Sequence, residues 1–268
     1  MIRYRLANLV PNRRKGSTAQ LPVIVGTLAA EQAYLKALRV ILRELARETR
    51  ENIVPLAVAE IQANRAMMRD AEQSWFDRLI SRALGLATAA GEMVNRILGL
   101  EAERHTSAFA AAAKRVLGVD LSAVVRQEDL EGYLTTAAAR NAALIKGLAD
   151  DTVKRVQQTV TTAVINGRSA TDLRKELTRQ FQISDSRARL IARDQIAKFN
   201  SDLNRIRHQQ AGLTEYVWRT SADERVRERH RRLEGKVYKY GEPTGAEQGL
   251  PPGQPINCRC VAQAIVRF

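Results

Sequence analysis

The sequence predicts a mainly α-helical protein that ends in a small α+β module. Through most of residues 23–210, apolar residues recur every three or four positions, which is the spacing of amphipathic helices. After Gly212 the chain turns to β-branched and aromatic residues, and residues 241–253 are rich in Gly and Pro. We therefore expect an elongated helical body, followed by short strands and a long Gly/Pro loop.

The first 22 residues are predicted to form a basic N-terminal arm. Cationic residues alternate there with Asn, Pro, Gly and Ser, and the segment keeps no apolar period. These cations are Arg3, Arg5, Arg13, Arg14 and Lys15. Such an arm can bind phosphate or dock on a neighbouring protein, although a mobile terminus is the more common structure.

Residues 23–129 are predicted to form the helical body. Pro55 should separate the first helix from a second helical run that begins near Leu56, because proline disfavours the helical conformation of the residue before it. The Ala-rich stretch of residues 83–113 predicts one or two further helices with small residues at close contacts.

Residues 130–268 are predicted to form one domain with a compact α+β end that starts at about residue 212. Helical spacing dominates its first part. Short strands are predicted around residues 216–218 and 237–240, where β-branched and aromatic residues cluster, and residues 261–266 can make a closing strand.

The charge of the chain is its strongest compositional feature. The formal net charge is +14 and the isoelectric point is near 10.3. A positive field of this size attracts polyanions, so nucleic acid or an acidic protein surface is the expected partner, with a merely soluble basic protein as the alternative.

No apolar run reaches the roughly 18 to 20 residues of a membrane span, and the N-terminus lacks the apolar core of a secretory signal. We expect no membrane association and a cytoplasmic site of synthesis.

Both cysteines, Cys258 and Cys260, lie in the Asn-Cys-Arg-Cys segment near the end of the chain. A spacing of one residue disfavours a disulfide between them, so they are thiols, metal ligands or core residues. Asp223 and His230 could join them around a zinc ion, which takes thiolate, imidazole and carboxylate ligands tetrahedrally. In the other interpretation the thiols lie in a small core, while His230 and Asp223 hydrogen-bond to the loop backbone.

His230 also lies in a run of arginines, which allows an enzymatic interpretation. Phosphodiester cleavage needs a general base beside cations that bind phosphate, so a nuclease or toxin-like enzyme is an alternative. Glutamates interleave with these arginines at spacings that allow pairing along a helix. We predict that the run contacts DNA or the acidic faces of partner proteins through Arg225, Arg227, Arg229, Arg231 and Arg232.

The motifs of the C-terminal half, taken in order, resemble one protein family. They include Arg187-Ala188-x-x-Ile191-Ala192-Arg193, Trp218-x-Thr220, Asp223-x-Arg225-Val226-Arg227-x-x-His230 and Asn257-Cys258-Arg259-Cys260. This order resembles the Mu F-like minor head protein family of tailed bacteriophages, also called the head morphogenesis family. The resemblance covers roughly residues 130–266, so the predicted C-terminal domain is similar to a Mu F-like head morphogenesis domain.

The resemblance implies a structural virion component that is not an enzyme and is present in few copies. Such a protein is assembled into the procapsid with the portal protein, beside the major capsid or scaffold proteins and the packaged double-stranded DNA. It would lie inside the virion head near the portal vertex, after assembly in the host cytoplasm, and would act in procapsid assembly and DNA ejection. A basic DNA-binding protein without a virion role, or a nuclease that uses His230, is the alternative.

The resemblance also bears on the metal site. Some relatives carry a fuller Cys/His set, with cysteines in place of Arg227 and His230 and a histidine near the position of Gln254. Because this chain departs from that set, we predict no cofactor and keep zinc on His230, Cys258 and Cys260 as the alternative. No catalytic residue is predicted, since the sequence offers no Ser/His/Asp or catalytic Cys/His arrangement. The residues predicted to lock the C-terminal module, through hydrogen bonds or a metal, are Asp223, His230, Asn257, Cys258 and Cys260.

Overall fold

The computed structural model describes residues 2–63, 69–125 and 130–268. Its helices are α1 (Leu28–Glu48), α2 (Val54–Ala63), α3 (Arg69–Leu117), α4 (Glu131–Ile165), α5 (Ala170–Gln210) and the short α6 (Glu228–Arg231). Its strands are β1 (Thr18–Gln20), β2 (Glu215–Arg219), β3 (Val237–Lys239) and β4 (Val261–Arg267). The predicted fold class, mainly α with a small α+β end, is confirmed. Within the described ranges, no helix combines the length and the apolar character that a bilayer crossing requires.

The chain folds into two compact units, each built from segments that are distant in sequence. The first unit comprises Met1–Glu31, Leu98–Thr135 and Arg193–Phe268, and the second comprises Gln32–Ile97 and Thr136–Ala192. The arm, body and C-terminal domain predicted from the sequence are each one continuous segment, unlike these units. Changes of composition mark positions along the chain, but they do not show which distant segments pack together.

A four-stranded antiparallel sheet lies in the first unit, with the strand order β1-β4-β2-β3. The inner strand β4 pairs on both sides, so that Val266 lies opposite Ala19 and Ala262 lies opposite Trp218. Trp218 and Val266 are fully buried. The closing strand expected near residues 261–266 is thus a central strand of the sheet.

Part of the predicted N-terminal arm belongs to this sheet. The backbone N–H of Gly16 donates to the carbonyl of Phe268 (2.7 Å), next to the pairing of β1 with β4. Leu6 and Leu21 are buried in the apolar core of the first unit. The strand escaped the sequence analysis because three residues of mixed exposure are too few to show an alternating pattern.

The first unit buries His105 and His208 away from the C-terminal cysteines. His105 Nε2 lies 3.0 Å from Asn204 Oδ1, and His208 Nδ1 lies 2.6 Å from the Tyr240 hydroxyl oxygen. Burial lowers the pKa of His105 to about 4 and the pKa of His208 to about 3. Both rings are therefore neutral in the folded protein at neutral pH.

In the second unit, Pro55 does not interrupt the helical path. A π-helical turn, Thr49–Ile53, joins α1 to α2, and Val54 keeps helical angles of φ −58° and ψ −43°. The π turn shifts the hydrogen-bond register by one residue, and Pro55 then lies in the first turn of α2, where a missing N–H costs little. The predicted break is therefore a change of helix type.

The core of the second unit contains the apolar face predicted for α1. Leu38, Ile41 and Leu45 are fully buried, as their spacing indicates. The hydroxyl of Tyr34, one turn earlier, donates to Asn141 Oδ1 on α4 (2.7 Å). This buried hydrogen bond fixes the register of α1 against α4.

Candidate functional site

Three of the residues predicted to lock the C-terminal module meet in a small core. His230 Nδ1 lies 3.5 Å from Cys258 Sγ and 3.6 Å from Cys260 Sγ. The three potential ligand atoms all lie within 4.8 Å of one another, and the three side chains are buried. One imidazole and two sulfurs thus converge on one point, which we call the His/Cys cluster.

Local backbone contacts place His230 against β2. The short helix α6 presents His230 towards Trp218, whose ring meets the imidazole edge-on with centroids 5.4 Å apart. The chain after α6 is held beside β2, because Gly235 N–H donates to the Trp218 carbonyl (2.9 Å) and Trp218 N–H donates to the Lys236 carbonyl (2.9 Å). Trp218 and Leu233 complete the apolar wall around the cysteines.

Glu247, which is not among the residues predicted from the sequence, holds His230 from the other side. His230 Nε2 lies 2.6 Å from Glu247 Oε2. Burial favours a raised pKa for Glu247, but the hydrogen bond from His230 and the charge of Arg227 outweigh it, so the pKa lies below its ordinary value. A carboxylate on one ring nitrogen orients the other nitrogen towards the sulfurs, as it does for histidines that bind metals.

The two thiols differ in acidity. The hydrogen bond from the Cys260 thiol lowers the pKa of Cys258 to about 6, and the same pairing raises the pKa of Cys260. The backbone N–H of Gly253 also donates to Cys258 Sγ (3.4 Å). Cys258 is therefore the sulfur that ionises first.

Gly253 anchors the loop that precedes the cysteines. Its backbone is in the left-handed region at φ +87°, and an added Cβ would lie 2.8 Å from the Cβ of Ser201 on α5. The Ser201 hydroxyl donates to the neighbouring Pro252 carbonyl (2.6 Å). A side chain at position 253 is thus excluded by conformation and by space.

Asp223 and Asn257, the other predicted lock residues, do not reach the His/Cys cluster. Asp223 forms an ion pair with Arg259 (Oδ2 to guanidinium nitrogen, 2.6 Å). Asn257 has a positive φ of 58°, and its backbone N–H donates to Asp194 Oδ1 (3.0 Å). These two residues fasten the Asn-Cys-Arg-Cys segment to its neighbours, one on each side.

The donor set of the His/Cys cluster suits zinc. Two thiolates and an imidazole supply three of the four ligands of a tetrahedral zinc site. Gln254, the residue nearest the fourth position that the resemblance suggested, donates to Asp202 Oδ1 (3.0 Å) and so lies outside the cluster. His230, Cys258 and Cys260 would hold the ion, and Glu247 would orient His230.

All the cationic residues predicted to contact DNA or partners are exposed. Several of them nevertheless contact their own module. The Arg227 guanidinium donates to the Ile256 carbonyl (2.6 Å), and that of Arg229 donates to the Gly245 carbonyl (2.5 Å). Those of Arg231 and Arg232 donate to the Glu224 carbonyl (3.1 Å) and to Glu228 (3.3 Å). These arginines hold the loops of the module, which reduces their freedom to bind phosphate.

His230 is poorly placed for phosphodiester chemistry. Only 2% of its surface is exposed, and both ring nitrogens face protein groups. A general base has to come within hydrogen-bond distance of the proton that it removes. The burial of His230 therefore argues against the nuclease interpretation.

Comparisons with known proteins agree with the family that the motifs resemble. Residues 154–263 match the family described as Phage Mu protein F like protein, so the resemblance is confirmed over this range. A Haemophilus influenzae protein described as uncharacterized is 33% identical over 162 residues, which cover 60% of this chain and 36% of that relative. The matched region therefore spans about a third of the relative's length. No solved structure matches the chain.

Proposed function

Residues 154–263 carry a Mu F-like segment, and from this we propose that the chain is a structural head protein of a tailed bacteriophage. The family is associated with phage head morphogenesis. The matched range includes the whole His/Cys cluster and β2. In this proposal the protein is a low-copy virion component and not an enzyme.

The proposed partners are the portal protein, the major capsid or scaffold proteins and the packaged double-stranded DNA. The protein would lie inside the head near the portal vertex and act in procapsid assembly and DNA ejection. A net charge of +14 supports a position beside concentrated DNA. The exposed cations of the N-terminal arm and Arg225 are the proposed contacts.

Co-expression with a tagged portal protein tests this proposal. We expect the chain to elute with the portal at a low, fixed ratio and to stay bound after nuclease digestion, because a protein contact does not need bridging DNA. A tagged major capsid protein serves as the comparison. Release by nuclease digestion would indicate the basic DNA-binding protein that is the alternative, and no retention at all would contradict the proposal.

We also propose, in place of the sequence-based expectation of no cofactor, that the His/Cys cluster binds zinc and thereby locks the C-terminal module. The convergence of three buried donors, with Glu247 on the outer nitrogen of His230, supports this proposal. A metal-free core in which the same groups hydrogen-bond to each other is the competing interpretation.

Metal analysis of the purified chain separates these two interpretations. We expect about one zinc per chain, since the cluster offers one set of ligands. Cys258→Ser and Cys260→Ser should each abolish zinc binding, while the control Asp223→Asn, outside the cluster, should keep it. A zinc-free wild-type chain whose thermal unfolding is unchanged by added zinc or by a chelator would favour the hydrogen-bonded core.

A further inference from the structure

A large groove in the second unit runs between α1 and α5. It has a volume of about 1400 Å³ and extends from Gln32 along α1 and the π turn to Val54. At the helical rise of 1.5 Å per residue, this distance is roughly 30 Å. Leu42 and Leu177 are buried in its floor, and Phe181 is partly exposed to it. The groove thus offers a long apolar strip.

The rim of this groove is strongly positive. Among the described residues that line it, Asp185 is the only carboxylate. Its two oxygens accept hydrogen bonds from Arg39 (2.7 and 3.0 Å), and it also pairs with Arg189 (2.8 Å). Six cations line the groove: Lys36, Arg39, Arg43, Arg50, Arg174 and Arg189. Most of this positive charge is therefore not compensated by acidic groups of the groove itself.

We propose that this groove binds an amphipathic helix of a partner protein, with an apolar face flanked by acidic residues. Apolar side chains at positions i, i+3 or i+4 and i+7 of such a helix would cover Leu42, Leu177 and Phe181. Glutamates and aspartates beside that face would pair with the cations on both rims. A helix of about 20 residues has the length of the groove.

The apolar floor distinguishes this ligand from nucleic acid. DNA is held through its phosphates by cations and polar groups, and gains nothing from contact with the apolar side chains of Phe181 and Leu177. A groove selected for DNA alone would not need these side chains. The inference does not depend on the head-protein role, because it follows from the shape and chemistry of the second unit.

The test is the binding of a labelled 20-residue helical peptide, with leucines on one face and glutamates beside them, to the full chain. We expect the joint charge reversal Lys36→Glu and Arg174→Glu to weaken binding at least about tenfold, because two ion pairs become repulsive. Phe181→Ala should weaken binding several-fold through the loss of apolar contact. The matched control is Arg96→Glu with Lys154→Glu, which changes the same charge at exposed positions outside the groove and should leave binding unchanged.

A scrambled peptide of the same composition and a 20-base-pair duplex are the comparison ligands, and circular dichroism checks the fold of each variant. The proposal predicts that the scrambled peptide binds much more weakly. It also predicts that duplex binding is insensitive to Phe181→Ala. Equal binding of the two peptides, or no effect of Phe181→Ala on the helical peptide, would show a general polyanion surface and overturn the proposal.

Discussion

Two buried histidines couple the stability of the first unit to pH. The pKa of an exposed histidine in the unfolded chain is about 6.5, whereas burial lowers the pKa values of His105 and His208 to about 4 and about 3. Between these values the unfolded chain binds protons that the folded chain does not. The stability of the folded first unit therefore has its full contribution from the neutral histidines above about pH 6.5. This contribution is lost progressively as the pH falls below that value.

We predict that each of these histidines costs the first unit about 1.4 kcal/mol of unfolding free energy per pH unit between about pH 6 and pH 5. Replacing one of them by a group that does not titrate, as in His208→Gln, should remove about half of the combined slope. Glutamine keeps a polar group near the Tyr240 hydroxyl. Urea unfolding at several pH values, with hydrogen exchange of β2 as the probe of the first unit, measures the slope. Identical slopes for the wild-type chain and the variant would contradict this account.

The sequence identified some of the residues around the His/Cys cluster and missed others. The sequence pointed to His230, Cys258 and Cys260 because their side chains can ligate metals and because the chain has only three histidines and two cysteines. Glu247 carried no comparable signal, since it lies in an irregular loop where no periodicity shows which side chains point inward. Its contact with His230 depends on the folding of that loop and cannot be read from spacing.

Among the elements, β4 has the largest structural role in the C-terminal module. It is the strand between β1 and β2, and the Asn-Cys-Arg-Cys segment leads directly into it. A chain that ends before Asn257 loses both sulfurs and the central strand together. The edge strand β1 would lose its pairing with β4, and the inner strand β2 would keep only its pairing with β3.

We predict that truncation before Asn257 abolishes hydrogen-exchange protection of β2 and makes the residues after about 212 sensitive to protease. The cause is the loss of the ladder between β2 and β4, which an isolated β2–β3 pair cannot replace. A chain that ends at Val266 keeps most of β4 and is the matched control. A protected, protease-resistant module in the shorter chain would show that β4 is dispensable.

The elements differ in how far the sequence determines them. The buried face of α1 followed from its 3.6-residue period, because a long amphipathic helix repeats its signal several times. The strand β1 and the π turn before Pro55 are single, short features whose conformation depends on partners elsewhere in the chain. For β1 the partner is β4, which lies some 245 residues later. Pairing over such a distance produces no recognisable pattern in the sequence around β1.

For the whole molecule, the composition indicated a polyanionic partner. It did not indicate which cations pair with acidic groups of the protein and which are left to bind a partner. Many arginines form ion pairs within the protein, such as Arg39 with Asp185 and Arg219 with Glu234. The groove between α1 and α5 keeps a cationic rim, which neither composition nor motif spacing revealed. Its walls come from segments that are more than a hundred residues apart in the sequence.

The measurement that tests the head-protein proposal most directly is quantitative mass spectrometry of purified procapsids and DNA-filled particles from cells that produce them. Particles are treated with protease before analysis, so that only enclosed proteins remain. The account predicts this chain in both kinds of particle, at a low and constant ratio to the portal protein, and protected from the protease. Its absence from every particle that contains the portal would contradict the account.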